Sequence, residues 1–208
     1  MKIKICGITK EEEIQMLNEA CVDYAGFVFY EKSKRNISVE ASAKLKEKLS
    51  PSIKSVAVTV SPDADLVDRI EAAGFDIIQV HKELNEEVIR RSKLPIWRAV
   101  NIKSSDDIAG LSDLLNGESE DAAKKIEAVV VDAPEFGSGK TFDWSWASFD
   151  NIAGVKFVLA GGLTAQNVAE GIRIFDPDIV DVSSSVEGDD GKDRNKINEF
   201  VNAVRSAK

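Results

Sequence analysis

At 208 residues and 22.7 kDa the chain has room for one domain or two very small ones, and 43% apolar with 30% charged residues suits a globular enzyme. A formal net charge of -9 argues against a nucleic-acid partner, whose phosphates need clustered Lys and Arg, but leaves room for a small anion held by a few local donors. Cys6 and Cys21 make neither a disulfide framework nor a metal cluster, and Met1 to Cys6 lacks the apolar core of a signal peptide, so a cytoplasmic protein without metal or membrane contact is expected.

Short apolar runs alternate along the chain with longer segments of helical period. Lys2 to Cys6 is the first run, and Thr9 followed by Glu12 has the spacing of a capping box. Tyr24 to Phe29 comes next, with Ser38 as a helix cap beyond it. Ser55 to Val60 precedes Ser61-Pro62-Asp63, which orders a cap, a first-turn proline and an acid as a helix start prefers. Asp76 to His81 and Ile96 to Val100 are the fourth and fifth runs, and Ser105 can cap the helix after them. Asn116 to Lys125, polar and acidic, is expected to be a mobile loop before the sixth run, Ala128 to Asp132. A short sixth helix is squeezed into Trp144 to Asp150. Lys156 to Ala160, a cap at Thr164, and Asp178 to Val182 complete the alternation. The last helix spans Asp193 to Ser206, with Ile197, Phe200, Val201 and Val204 on one face. About eight such repeats place the chain in the α/β class as one compact (β/α)8 TIM barrel over residues 1–208, with an open doubly wound sheet as the alternative.

In such barrels chemistry gathers where the strands end, because the following loops converge over one mouth. Cys6, His81 and Asp132 close the first, fourth and sixth runs; Gly161-Gly162 and Ser183-Ser184 follow the seventh and eighth. Residues two apart on a strand share a face, which brings Lys4, Gln79 and Asp181 into the same interior. Buried charges need partners, so an ion pair between Lys4 and Asp181 is expected beneath the site. Taken singly, each residue has a plain alternative: packing for Cys6, a satisfied core position for His81, a turn for Asp132, a polar loop for the serines. Their common location at one end of the strands favours a site. The Gly161-Gly162 and Ser183-Ser184 segments look like two halves of a phosphate cradle, with close backbone approach on one side and hydroxyl donors on the other. Gly137-Ser138-Gly139-Lys140 reads as a flexible loop over that site.

The order Lys4-Ile5-Cys6-Gly7-Ile8-Thr9, Gly26-Phe27-Val28-Phe29 with Ser33-Lys34-Arg35, Gln79-Val80-His81, Asp132, Phe142-Asp143-Trp144, Ala160-Gly161-Gly162-Leu163 and Asp181-Val182-Ser183-Ser184 resembles the phosphoribosylanthranilate isomerase family over nearly the whole chain. The resemblance implies an Amadori rearrangement of a phosphoribosyl amine without metal or cofactor, in a monomer or homodimer. It further implies Asp132 as general acid and Cys6 as general base, with Lys4 the candidate cation that lowers the thiol's pKa. Arg35 is then the fork for the anthranilate carboxylate, and Gly161, Gly162, Ser183 and Ser184 hold the phosphate. Gln79 and His81 line the pocket, and Lys4 with Asp181 supports it. Lys82 and Ser185 depart from the family, which commonly has glycine at both positions. A serine forced to positive φ at 185 would cost of order 1 kcal/mol. The competing readings are a barrel isomerase of another phosphoribosyl substrate, such as that of histidine biosynthesis, and a phosphosugar-binding barrel without catalysis.

Overall fold

Each strand follows from a run of Val, Ile and Phe too short for a stable helix and apolar on both faces, as a sheet covered on both sides requires. The strands are β1 (Lys2–Cys6), β2 (Tyr24–Phe29), β3 (Lys54–Val60), β4 (Ile77–His81), β5 (Ile96–Asn101), β6 (Ile126–Asp132), β7 (Lys156–Leu159) and β8 (Ile179–Val182). In this computed structural model, which describes residues 1–111, 120–133, 141, 143–146 and 154–207, they pair in chain order. All the pairings are parallel, and β1 meets β8 with Lys4 opposite Asp181, so the barrel is closed and the open-sheet alternative falls away.

Side-chain alternation divides the apolar residues into two cores. One fills the barrel: Tyr24, Val56, Ile77, Trp97, Val130 and Ile179 belong to it. The other lies between the outward faces of the strands and the helices, with Ile5, Phe27, Val80 and Val129 meeting Leu17, Ile70 and Phe200. The surrounding helices are α1 (Glu11–Ala20), α2 (Val39–Lys46), α3 (Ala64–Ala72), α4 (Glu86–Arg91), α5 (Ser105–Ala109), α6 (Glu120–Lys125), α7 (Val168–Phe175) and α8 (Arg194–Ser206). The apolar face expected for the last helix is buried at Ile197, Phe200, Val201 and Val204.

Several helix starts sit one or two residues away from where the motifs place them. Glu13, not Glu12, accepts the backbone amides of Thr9 (2.6 Å) and Lys10 (3.0 Å). Its second oxygen is fixed by the Lys192 amide (2.8 Å), so a tertiary contact selects the acid. Asp63 rather than Ser61 caps α3 through the Leu66 amide, while Ser61 takes φ +44° and accepts the Glu83 amide. Ser104 rather than Ser105 caps α5. Ser38 caps α2 as expected. Thr164 makes the turn before α7, but Asn167 occupies its cap position.

The segment expected to be a loop over Asn116 to Lys125 contains helix α6, whose Lys125 ammonium caps α4 by donating to the Ile89 and Ser92 carbonyls. Trp144–Trp146 forms a 3-10 turn where the short sixth helix is expected; residues 147–150 and the Gly137 to Lys140 loop lie outside the described residues. Beyond β8 a further 3-10 turn (Ser184–Val186) leads into a small antiparallel hairpin, β9 (Glu187–Gly188) and β10 (Gly191–Lys192), before α8.

Candidate active site

A cavity of about 480 Å³ opens at the carboxyl end of the barrel strands. Cys6 on β1, Gln79 and His81 on β4, Asp132 on β6 and Asp181 on β8 reach it from the interior. Gly161, Gly162, Ser183 and Ser184 line it from the loops after β7 and β8, and Arg35 from the loop after β2. Lys4 lies one layer below, with no exposed surface. The sequence-derived residues therefore converge on one volume.

Lys4 Nζ and Asp181 Oδ2 are 2.6 Å apart, the pair that strand alternation predicts. Burial alone would lower the lysine's pKa, but Asp181 and then Cys6 hold it above its ordinary value. Two charges in the barrel centre are tolerable only because β1 and β8 are neighbours in register. The other Asp181 oxygen, Oδ1, has no protein partner among the described residues.

Asp132 ends β6, and its Oδ1 accepts the Ala133 amide at 2.8 Å. Burial raises its pKa to about 6, against the pull of that amide, with the Asp181 charge adding to the rise. Gly161 makes the carboxyl's position possible: at φ +77°, a β-carbon there would stand 2.4 Å from Ala133 N and 3.0 Å from Asp132 Oδ1. Gln79 Nε2 and His81 Nε2 are 2.9 Å apart. Burial, then the Lys4 and Arg98 charges, depress His81 to about 3, so the imidazole is neutral at physiological pH.

Cys6 departs from expectation. Burial pushes the thiol up, and the Lys4 and Lys192 cations do not reverse it, because the nearest charge is already shared with Asp181. Gly26 on the neighbouring strand packs on it so closely that a β-carbon there would lie 2.9 Å from Sγ.

The phosphate cradle also differs in detail from the simple expectation. Gly161 and Gly162 both have positive φ, giving the sharp turn after β7. The Ser183 hydroxyl donates instead to the Cys6 carbonyl (2.8 Å), so it fixes β1 and has no hydrogen left for an anion. Ser185 is not among the positive-φ residues, and its hydroxyl donates to the Leu163 carbonyl at 2.5 Å, tying the two loops together. Lys82 does adopt φ +59°, so the strain lies at that position and not at 185.

Arg35 lines the cavity with one edge of its guanidinium already engaged: Nε donates to Glu187 Oε1 (2.5 Å) and Nη2 to Glu187 Oε2 (3.1 Å). Lys192 Nζ reaches the same carboxylate at 3.0 Å and the Ser183 carbonyl at 3.0 Å. Partial burial would raise the Glu187 pKa, but Arg35, Lys192 and Lys34 bring it down to about 2. Glu187 and Lys192 fall in Val186-Glu187 and Lys192-Asp193, two further segments that carry the family resemblance, but neither is given a role from sequence. Their signal is the Gly188 to Gly191 turn between them, which faces an acid and a base across a tight hairpin.

Residues 3–203 match the family model described as N-(5'phosphoribosyl)anthranilate (PRA) isomerase. The N-(5'-phosphoribosyl)anthranilate isomerase of Clostridium kluyveri is 38% identical over 210 residues, covering 100% of both chains. The crystal structure of the Thermotoga maritima phosphoribosyl anthranilate isomerase superposes with a TM-score of 0.86 at 29% identity, covering 99% of each chain. A related isomerase crystallised with reduced 1-(o-carboxyphenylamino)-1-deoxyribulose 5-phosphate aligns at a TM-score of 0.78 with 27% identity, again over 99% of each chain. With family-length similarity in sequence and the same closed barrel around the cavity, the chain belongs to the N-(5'-phosphoribosyl)anthranilate isomerase family.

Proposed function

We propose that the chain isomerises N-(5-phosphoribosyl)anthranilate to 1-(2-carboxyphenylamino)-1-deoxyribulose 5-phosphate with Asp132 as general acid and Cys6 as general base. The observation that carries this reading is the pairing, in one cavity, of a carboxyl held near 6 with a partly exposed thiol. Asp132 gives its proton to the furanose ring oxygen as the bond from that oxygen to C1 breaks, and the amine lone pair forms the iminium. Cys6 then takes the proton from C2, whose electrons move into the C1–C2 bond while the iminium electrons return to nitrogen. The resulting enolamine tautomerises to the ketone. Each transfer moves one proton between a side chain and an adjacent sugar atom.

The substrate is a phosphorylated small molecule with a second anionic group, and the site supplies donors for both ends. The loops after β7 and β8 suit the phosphate through the Gly161-Gly162 turn and the backbone around Ser184. Arg35 suits the aromatic carboxylate, for which a planar guanidinium offers parallel hydrogen bonds. Neutral His81 and Gln79 can hydrogen-bond sugar hydroxyls without competing for either anion.

Titration supplies a test with a definite shape. The active form needs a protonated Asp132 and an ionised Cys6, although the carboxyl titrates near 6 and the thiol lies above its ordinary 9.0. Between those values each rise in pH creates thiolate and removes carboxyl protons in equal proportion, so the two effects cancel. We expect kcat/KM to climb to about pH 6, stay level, and fall only beyond the thiol's pKa. Loss of the anthranilate fluorescence follows turnover continuously. Cys6→Ala and Asp132→Asn should each lower kcat at least ~10²-fold. Undiminished turnover in either variant removes that residue's role, and a wild-type protein that binds substrate without losing fluorescence would mark a binding barrel instead.

A further inference from the structure

The Arg35 side chain is built into its place from two directions. On one side its stem packs on the backbone of Gly7, where a β-carbon would stand 2.3 Å from Arg35 Cδ. On the other, the β9–β10 hairpin presents Glu187, which takes the Nε and Nη2 edge of the guanidinium. The carboxylate is itself anchored by Lys192, whose side chain is 1% exposed, and by Lys34 at 3.1 Å. A guanidinium carries five N–H donors on a rigid fork, and a carboxylate on the Nε–Nη2 edge leaves both hydrogens of Nη1 and one of Nη2 for a second ligand. Arg35 lines the cavity. Three cations, Lys34, Arg35 and Lys192, surround the one acid, so the cluster keeps a net positive charge with Glu187 ionised.

We propose that Glu187 is a positioning residue for this reaction: it holds Arg35 by one edge so that the other edge meets the aromatic carboxylate of the substrate. The inference rests on the assignment of Arg35 to that carboxylate. Without Glu187, a long arginine would have to lose its rotamer freedom on binding, and part of the substrate's interaction energy would go into ordering it. Because the acid touches the arginine and not the reacting atoms, its removal acts on ground-state and transition-state binding alike. KM therefore rises while kcat holds.

The test uses two ligands: the reduced product analogue bearing the ring carboxylate, and the same molecule without it. The readout is the ratio of their dissociation constants. For Glu187→Gln the preference for the carboxylated ligand should fall about tenfold, with KM rising about as much and kcat changing less than about threefold. Glu187→Asp, which keeps the charge beside Lys192 but withdraws the carboxylate by one methylene, should lower the preference as well. Arg35→Ala should lower it at least as far, and adding Glu187→Gln to that variant should lower it no further. A preference retained in both Glu187 variants, or equal weakening of both ligands, overturns the positioning role while leaving Arg35 in place. A preference retained in Arg35→Ala removes the underlying assignment, and the inference with it.

Discussion

The floor and the rim of the barrel interior are made by the same strands, yet they obey different rules. At the floor, inward positions hold Tyr24, Val56, Ile77, Trp97, Ala128 and Ile179, all nearly without exposure, with the Tyr24 and Trp97 rings edge to face at 4.9 Å. Two to four residues further along, the inward positions hold Gln79, His81, Asp132 and Asp181. The floor is ordinary packing, in which every side chain gains by leaving water. The rim is kept polar against that tendency, and its groups titrate far from their usual values because burial opposes their charge. Stability is made in one layer and given up in the other.

Cutting into the floor should have the largest effect. Trp97→Ala leaves a cavity among fully buried neighbours and should lower unfolding free energy by about 3–5 kcal/mol in denaturant titration, with kcat of the folded fraction little changed. Should Trp97→Ala prove too unstable to purify, Trp97→Phe should show a smaller loss of the same kind. A large fall in kcat with unaltered stability would erase the distinction between the layers.

At the rim the sign reverses. The folded-state pKa of Asp132, about 6, lies above the ordinary 3.8, so folding favours the protonated form. Its contribution is whole below about pH 4 and is lost as pH rises through 6, leaving an ionised carboxylate that opposes folding at pH 7.5. Asp132→Asn should therefore stabilise the protein by about 1–3 kcal/mol at pH 7.5, with no gain near pH 4, while abolishing most activity. A variant that is inactive and also less stable at pH 7.5 would refute the penalty.

The smallest effect concerns Lys82, next to His81 but exposed, whose φ of +59° is strained for any residue with a β-carbon. Lys82→Gly should raise the thermal midpoint modestly, by an amount corresponding to about 1 kcal/mol, without altering kcat. A loss of stability would show that the lysine makes compensating contacts.

The floor and the strands were legible in the sequence because they rest on local pattern. Runs such as Tyr24 to Phe29 need only apolar residues of the right length, and alternation placed Lys4 against Asp181. Misreadings arose where a distant contact decided the outcome. Glu13 displaced Glu12 as the capping acid because Lys192 binds its other oxygen. Helix α6, with the sequence Glu-Asp-Ala-Ala-Lys-Lys, shows no apolar stripe to betray it. The direction of the Cys6 shift depended on how far burial outweighs the Lys4 cation beside the thiol, and the state of Arg35 on a glutamate 152 residues away. Neither is written in spacing. That these side chains would gather at one cavity was readable; their wiring was not.

The seam between β1 and β8 carries a consequence for the order of assembly. Lys4 and Asp181 are 177 residues apart, so during synthesis the ammonium emerges from the ribosome long before its carboxylate exists. Ring closure over such a separation slows folding, because chain entropy must be lost before the contact rewards it. The β3–β4 pair, joined by a single short helix, has no such delay. In pulsed hydrogen exchange, the β1 amides facing β8 should thus become protected after those between β3 and β4, making the Lys4–Asp181 seam among the last regions to mature.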